Sequence, residues 1–199
     1  MTTVAELVVG ADPDSWRAVG FEIDDHDVMQ LGGIRVRFVP EENGIVSWML
    51  ADAPDDTIDV IDGLVTRHGE PSPIRGGEHP NTVHSIDHLV IYTHDLERTC
   101  DALAAATGAP LKRIREAGSM RQGFHRLGEL IVEVVTFPQV EGEHASFWGL
   151  AFNARNVEGL HELYGDDVIS PAKDAVQTGR RIASFRSGAN LGVPVALMV

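Results

Sequence analysis

Two polar side chains in this sequence stand where apolar residues are expected. His88 lies near the start of the apolar segment 86–92, and Glu133 lies in the middle of the apolar segment 130–135. Side chains alternate along a strand, so His88 shares one face with Tyr92. An imidazole or a carboxylate on such a strand is costly to bury unless something pairs with it. A metal ion bound there would serve as that partner.

The elements that must position these side chains follow an order that recurs along the chain. A strand leads into a helix that Asp or Asn caps and glycine ends, and short strands separated by turn residues follow it. Three copies of this order begin near residues 7, 86 and 148, a repeat of roughly 60 to 80 residues. The sequence therefore predicts an α+β fold of repeated βαβββ modules, with curved mixed sheets and helices on their outer side.

The second copy resembles a known superfamily. The strand 87–91, Asp-His-Leu-Val-Ile, followed by the cap Asp95-Leu96, is similar to the opening strand and helix of the vicinal oxygen chelate superfamily, which includes glyoxalases, bleomycin-resistance proteins and extradiol dioxygenases. The resemblance is best over residues 86–199 and weaker over residues 1–51. It implies a glyoxalase-like fold.

The resemblance also implies a site and a class of function. His88 matches the metal ligand on the first strand of a module, and Glu133 matches the ligand on the last strand. Both would line the cleft of a curved sheet, where Fe, Mn, Zn or Ni would leave positions open for a small molecule with adjacent oxygens. Glu133 would also be the catalytic residue that moves a proton. The implied function is a metal-assisted lyase, isomerase or dioxygenase acting on a small oxygenated metabolite.

The number of metal ligands depends on which modules pair. Pairing the second module with the third places Gly149 and Ala196 at the positions of His88 and Glu133, and neither residue binds metal. This pairing predicts a weak site or none, and then the same cleft would serve a metal-free small-molecule binding or resistance-type protein.

Pairing the first module with the second gives a different ligand set. Glu6 then takes the position that His88 holds, with Ser47 opposite Glu133. The ligands would be Glu6, His88 and Glu133. Both pairings remain open from the sequence.

Other residues have both functional and structural interpretations. His125 and Arg186 occupy similar places in the third strands of their modules, and with Tyr92 they are candidates for contacting a substrate. The alternative for His125 and Arg186 is an ordinary surface charge. For His88 the alternative is a core histidine held by Asp87 or a backbone carbonyl, and for Glu133 it is an exposed position or an ion pair with an arginine.

The module boundaries predict the domain organisation. Residues 1–69 form a degenerate first module plus a connecting helix that begins at residue 55, residues 70–85 form a linker, and residues 86–199 form two paired modules. The first module is left without a partner in the chain. Its open sheet edge predicts a homodimer.

Composition limits the partners. The formal net charge of −14 argues against nucleic acid and against anionic membrane surfaces, because phosphate binding requires clustered Lys and Arg. Cys100 is the only cysteine, so no disulfide forms within the chain, which suits the cytoplasm. No signal peptide and no apolar run of membrane length is evident.

Overall fold

The computed structural model describes residues 2–51, 57–70 and 77–199, and they form two mixed sheets. The first sheet has six strands in the order β2-β3-β1-β4-β6-β5, with one short helix. Its elements are β1 (Thr3–Gly10), α1 (Pro13–Ala18), β2 (Val28–Leu31), β3 (Ile34–Phe38), β4 (Gly44–Ala51), β5 (Thr57–Ile61) and β6 (Leu64–His68).

The second sheet has eight strands in the order β12-β13-β14-β11-β7-β10-β9-β8. Its elements are β7 (Val83–Tyr92), α2 (Leu96–Thr107), β8 (Arg113–Ala117), β9 (Met120–Leu127), β10 (Leu130–Thr136), β11 (Ser146–Ala154), α3 (Leu160–Tyr164), β12 (Lys173–Asp174), β13 (Arg181–Ser184) and β14 (Val195–Met198). Within each module the first strand runs parallel to the last, and β7 and β11 join the two modules in antiparallel fashion. The predicted α+β fold of curved mixed sheets is confirmed.

The prediction of a helix after the first module is wrong. Residues 55 and 56 lie outside the described residues, and from residue 57 onward the chain forms the antiparallel hairpin of β5 and β6. Asp62 and Gly63 make its two-residue turn with φ of 49° and 94°, the conformation that hairpin turns of this length require. The β-branched Ile58, Ile61 and Val65 favour strands, and this preference prevails over their helix-like spacing.

The β5–β6 hairpin belongs to a unit that pairs with the first module within the chain. β6 pairs in parallel with β4, as β14 pairs with β11 in the second sheet. In addition, β1 lies between β3 and β4, as β7 lies between β10 and β11. Strands β4 to β6 thus supply an abbreviated fourth module that pairs with the first. An unpartnered first module was the reason for expecting a homodimer, and that reason does not hold.

The two sheets share one apolar core. Trp16 of α1 is fully buried, packs against Phe38 and against Phe152 of the second sheet, and donates its indole N–H to the Leu191 carbonyl at 3.1 Å. Cys100 is buried on α2, where burial raises the pKa of its thiol to about 12, so it is a core residue.

Part of the predicted linker packs onto the first sheet. His79 is buried, and its Nδ1 accepts the backbone N–H of Glu22 at 2.9 Å while Nε2 lies 3.1 Å from the Gln30 carbonyl. These contacts define the tautomer with the proton on Nε2. Among the described residues, no helix is long and apolar enough to cross a membrane.

Candidate functional site

The second sheet carries a cleft of about 200 Å³ on its concave face. One side of the cleft is polar and comes from β7 to β10. The other side is mainly apolar and comes from β11, the β12–β13 hairpin and β14. The polar side chains that line the first side are His88, Arg113, Arg115, Gln122 and Glu133.

Strand register explains why His88 and Glu133 lie together. β7 and β10 are parallel neighbours in which His88 pairs with Ile131 and Val90 pairs with Glu133. Residues two apart on a strand share a face, so the imidazole and the carboxylate project from adjacent strands into the same cleft.

A β-bulge brings Asp87 to the imidazole of His88. On β11 the partner of His88 is Ala151 and the partner of Ile86 is the next residue, Phe152, so Asp87 is the extra residue. Its carboxylate therefore reaches Nδ1 of the adjacent His88 and also accepts Nη1 of Arg180 at 3.2 Å. Burial works to raise the pKa of Asp87, but the hydrogen bonds and charges of His88 and Arg180 outweigh it and lower that pKa to about 2.

This arrangement selects one tautomer of His88. The ionised Asp87 accepts a proton-bearing Nδ1, which leaves Nε2 as the ring nitrogen for a partner in the cleft. The alternative that Asp87 holds His88 is thus observed, and it is compatible with a ligand role because only one ring nitrogen is used.

The charge of Glu133 is less well compensated than the charge of Asp87. Burial raises the pKa of its carboxyl, and the nearby His88, the amide of Gln122, Arg115 and Arg113 oppose that rise without cancelling it. The Gln122 amide nitrogen donates to Glu133. Glu133 therefore holds a proton more readily than an ordinary glutamate does.

Sequence reasoning missed Gln122 and the two arginines of the cleft. Arg113 pairs across β8 and β9 with Phe124, and Arg115 pairs with Gln122, so the sheet register places all of them on the cleft face. The i, i+2 spacing of Arg113 and Arg115 was the only available signal. It is weak because it does not say which face of an edge strand meets the site.

Tyr92 lies next to the cleft along β7. Its ring stacks on Trp148 with centroids 4.8 Å apart and an interplanar angle of 16°, and it meets Phe137 edge-on at 5.2 Å. Burial raises the pKa of its phenol, and the negative charge of Glu133 adds to the rise. A substrate contact by Tyr92 stays a prediction.

Two other residues predicted to contact a substrate do not reach this cleft. His125 lies on the opposite face of β9, where it is buried and its Nδ1 lies 2.9 Å from the carbonyl of Ala109. Strand alternation explains this, since its neighbour Phe124 is the residue that lines the cleft. Arg186 follows β13 and pairs with Asp166 at 2.7 Å, beside a different cavity.

Glu6 belongs to the first sheet and does not join His88 and Glu133. It is only 2% exposed, and its carboxylate accepts Nε of Arg35 at 2.5 Å and Nε of Arg37 at 3.3 Å. The ligand set that included Glu6 is therefore wrong, because β1 and β7 lie in separate sheets and two arginines already occupy its carboxylate.

The observed pairing leaves the third module without metal ligands. Ala151 pairs with Ala196 as Val90 pairs with Glu133, so Ala196 occupies the position of Glu133, and Gly149 occupies that of His88. Within the described residues, no three His, Cys, Asp or Glu side chains form a group that would hold a metal ion.

Sequence comparisons find no counterpart for this chain, whereas structural comparisons do. No protein-family model and no curated protein matches it. A mutant of 4-hydroxymandelate synthase from Streptomyces coelicolor is similar in structure, with a TM-score of 0.67 and 14% identity, over 98% of this chain and 91% of that chain. Methylmalonyl-CoA epimerase from Mycobacterium tuberculosis has a TM-score of 0.50 and 14% identity, over 60% of this chain and 89% of that chain. The chain therefore has a glyoxalase-like α+β fold.

Proposed function

We propose that this protein is an enzyme of the isomerase or lyase type, which moves a proton on a small oxygenated metabolite bound in the cleft of the second sheet. The observation that carries the proposal is Glu133, a partly buried carboxyl with a raised pKa that faces the same cleft as His88. A general base works best when its pKa lies near the working pH, and burial moves Glu133 in that direction.

The proposed step is a proton transfer at carbon. The Glu133 carboxylate takes a proton from a carbon next to a carbonyl group, and the electron pair of that C–H bond moves to the carbonyl oxygen to give an enolate. Delivery of a proton from water to the opposite face of that carbon gives the epimer, whereas departure of a group from the neighbouring carbon gives a lyase product. The Gln122 amide holds Glu133 in place during both outcomes. We also propose that Tyr92 contacts the substrate beside Glu133.

A divalent metal fits this cleft with an incomplete set of protein ligands. His88 Nε2 and the Glu133 carboxylate would bind it, and the buried Oε1 of Gln122, which has no hydrogen-bond partner among the described residues, would be a neutral third donor. Such a metal, Fe, Mn, Zn or Ni, would polarise the substrate oxygen. Because the third module offers Gly149 and Ala196 instead of ligands, we expect weak and exchangeable binding.

The test of this function is exchange of substrate hydrogen with solvent. The protein is incubated in D₂O with a panel of small 2-substituted oxo and hydroxy acids, with and without Mn²⁺ or Zn²⁺, and proton NMR follows the loss of C–H signals. Glu133→Gln should slow exchange by at least about 100-fold, the usual contribution of a positioned base. Glu129→Gln, an exposed residue of the adjacent turn, should leave the rate unchanged.

A second function is favoured by one observation. The small Ala151 and the apolar Ile182 and Met198 line the third-module side of the cleft, which suits a metal-free protein that only holds an apolar small molecule. Solvent exchange that is absent for every compound, together with a compound that raises the melting temperature of wild type and of Glu133→Gln equally, would favour this alternative.

We further infer that the protein is a cytoplasmic homodimer whose interface includes β5. This edge strand exposes 67% of Ile58 and 58% of Val60, and uncovered strands with apolar side chains tend to associate. Sedimentation at micromolar concentration should give twice the chain mass, and Val60→Lys should give the monomer. A monomeric wild type would contradict the inference.

A further inference from the structure

Two arginines of the cleft stand without a carboxylate partner. Arg113 and Arg115 line the cleft from β8. No ion pair joins either of them to any carboxylate of the described residues. Glu133 acts on them only through longer-range charge, because its own hydrogen bond goes to Gln122.

Most arginines elsewhere in the described residues do have a carboxylate partner. The sequence has 30 Asp and Glu against 16 Lys and Arg, so an arginine has many carboxylates to pair with. Most other described arginines do form such pairs; they are Arg17, Arg35, Arg37, Arg98, Arg121, Arg180, Arg181 and Arg186. Two unpaired guanidinium groups side by side in a cleft therefore form a positive site in an acidic protein.

The local geometry prepares these two groups to bind one anion. Residues two apart on a strand lie about 6.6 Å from each other on the same face, a distance that one carboxylate or phosphate bridges between two long side chains. The Arg113 guanidinium lies over the Phe124 ring, 4.6 Å from its centroid, and this contact favours its position at the cleft. Planar guanidinium groups recognise carboxylate and phosphate oxygens through paired hydrogen bonds.

We propose that Arg113 and Arg115 form the anion subsite of the cleft, so that the substrate is a small metabolite bearing a carboxylate or phosphate group. This inference rests on the proposed function, because it takes Glu133 as the group that meets the reacting carbon. Register sets the spacing: Arg113, Phe124 and Glu133 are partners on the successive strands β8, β9 and β10. Since neighbouring strands are about 4.8 Å apart, the backbones of Arg113 and Glu133 lie roughly 10 Å apart, and both residues line the same cleft.

The experiment measures anion affinity directly. Acetate and inorganic phosphate are titrated separately into the full-length protein at fixed ionic strength, and amide NMR shifts of β8 to β10 report binding. Arg113→Gln/Arg115→Gln should weaken binding at least about tenfold, as expected when charge-assisted hydrogen bonds are lost. The control Arg126→Gln/Arg155→Gln removes the same charge from two exposed residues and should change affinity less than about twofold.

The two anions distinguish the sources of the anionic group. Tighter acetate binding supports a carboxylate substrate, and tighter phosphate binding supports a phosphorylated one. Equal affinity of the double variant and wild type, or an equal loss in the control, overturns the proposal. If anion binding depends on the two arginines but Glu133→Gln keeps full solvent exchange, the subsite stands and the proposed function fails.

Discussion

The two sheets place charged residues at equivalent positions but treat them differently. Val8 pairs with Arg37 as Val90 pairs with Glu133, so Glu6 and Arg37 of the first sheet correspond to His88 and Glu133 of the second. In the first sheet the carboxylate of Glu6 is neutralised by two arginines of the same sheet. Within the described part of the second sheet Glu133 has only an amide partner, and the nearby Arg113 and Arg115 form no ion pair with a carboxylate.

The difference distinguishes charges that stabilise the fold from charges that are available to bind a ligand. A charge cluster that is satisfied internally has little to offer a ligand, and breaking it exposes the remaining charges to an apolar environment. A cleft whose acid and cations have no partner of opposite charge is suited to bind a ligand that supplies one. The first sheet is thus expected to tolerate mutation poorly, and the second to respond mainly in binding and activity.

The largest expected effect is on stability in the first sheet. Glu6→Ala leaves Arg35 and Arg37 without their counterion and should lower the free energy of unfolding by roughly 3 to 5 kcal/mol. Glu133→Ala removes a carboxyl whose charge is poorly compensated and should change it by less than about 1 kcal/mol. Urea denaturation of both variants measures the two effects, and an equal loss in both would remove the distinction between the sheets.

The next effect concerns acid stability of the second sheet. The pKa of Asp87 is lowered from its ordinary 3.8 to about 2, so its stabilising contribution is complete above the ordinary value and is lost as the pH falls through about 2. The contribution is about 2 kcal/mol. Asp87→Asn should remove this loss between pH 4 and pH 2, as followed by urea denaturation. The exposed Asp25 provides a control, because Asp25→Asn should keep the wild-type acid dependence.

A smaller effect involves one buried histidine in each sheet region. Burial lowers the pKa of His79 and of His125 from the ordinary 6.5, so the folded protein binds fewer protons than the unfolded chain. Their stabilising contribution is complete above pH 6.5 and declines as the pH falls below it, by at most about 1.4 kcal/mol per pH unit for each histidine. Unfolding at several pH values should show this decline, and His79→Gln should reduce it. A flat profile between pH 7 and pH 5 would contradict the burial of both rings.

Local patterns in the sequence account for the fold better than for the site. The cap at Asp95 and the stop at Gly108 depend on neighbouring residues, and both are present at the ends of α2. The β5–β6 hairpin is hard to recognise in the sequence because its apolar residues also fit helical spacing, and only the Asp62-Gly63 turn distinguishes the two.

The site required information that no short segment holds. Glu6 pairs with Arg35, which is 29 residues away in the sequence, and this pairing follows from the parallel register of β1 and β3. Gln122 meets Glu133 only because β9 and β10 pair in one particular register. His88 and Glu133 were identifiable because a polar side chain inside an apolar strand is visible without knowing the tertiary structure.

The most direct test of the central claim is the titration of the Glu133 carboxyl, measured by carbon-13 NMR with Glu133→Gln to assign the signal. We predict a pKa above the ordinary 4.5, and a further rise in Arg113→Gln/Arg115→Gln, since both arginine charges lower it in wild type. A Glu133 that titrates at or below 4.5 would contradict the claim that this carboxyl is prepared for proton transfer.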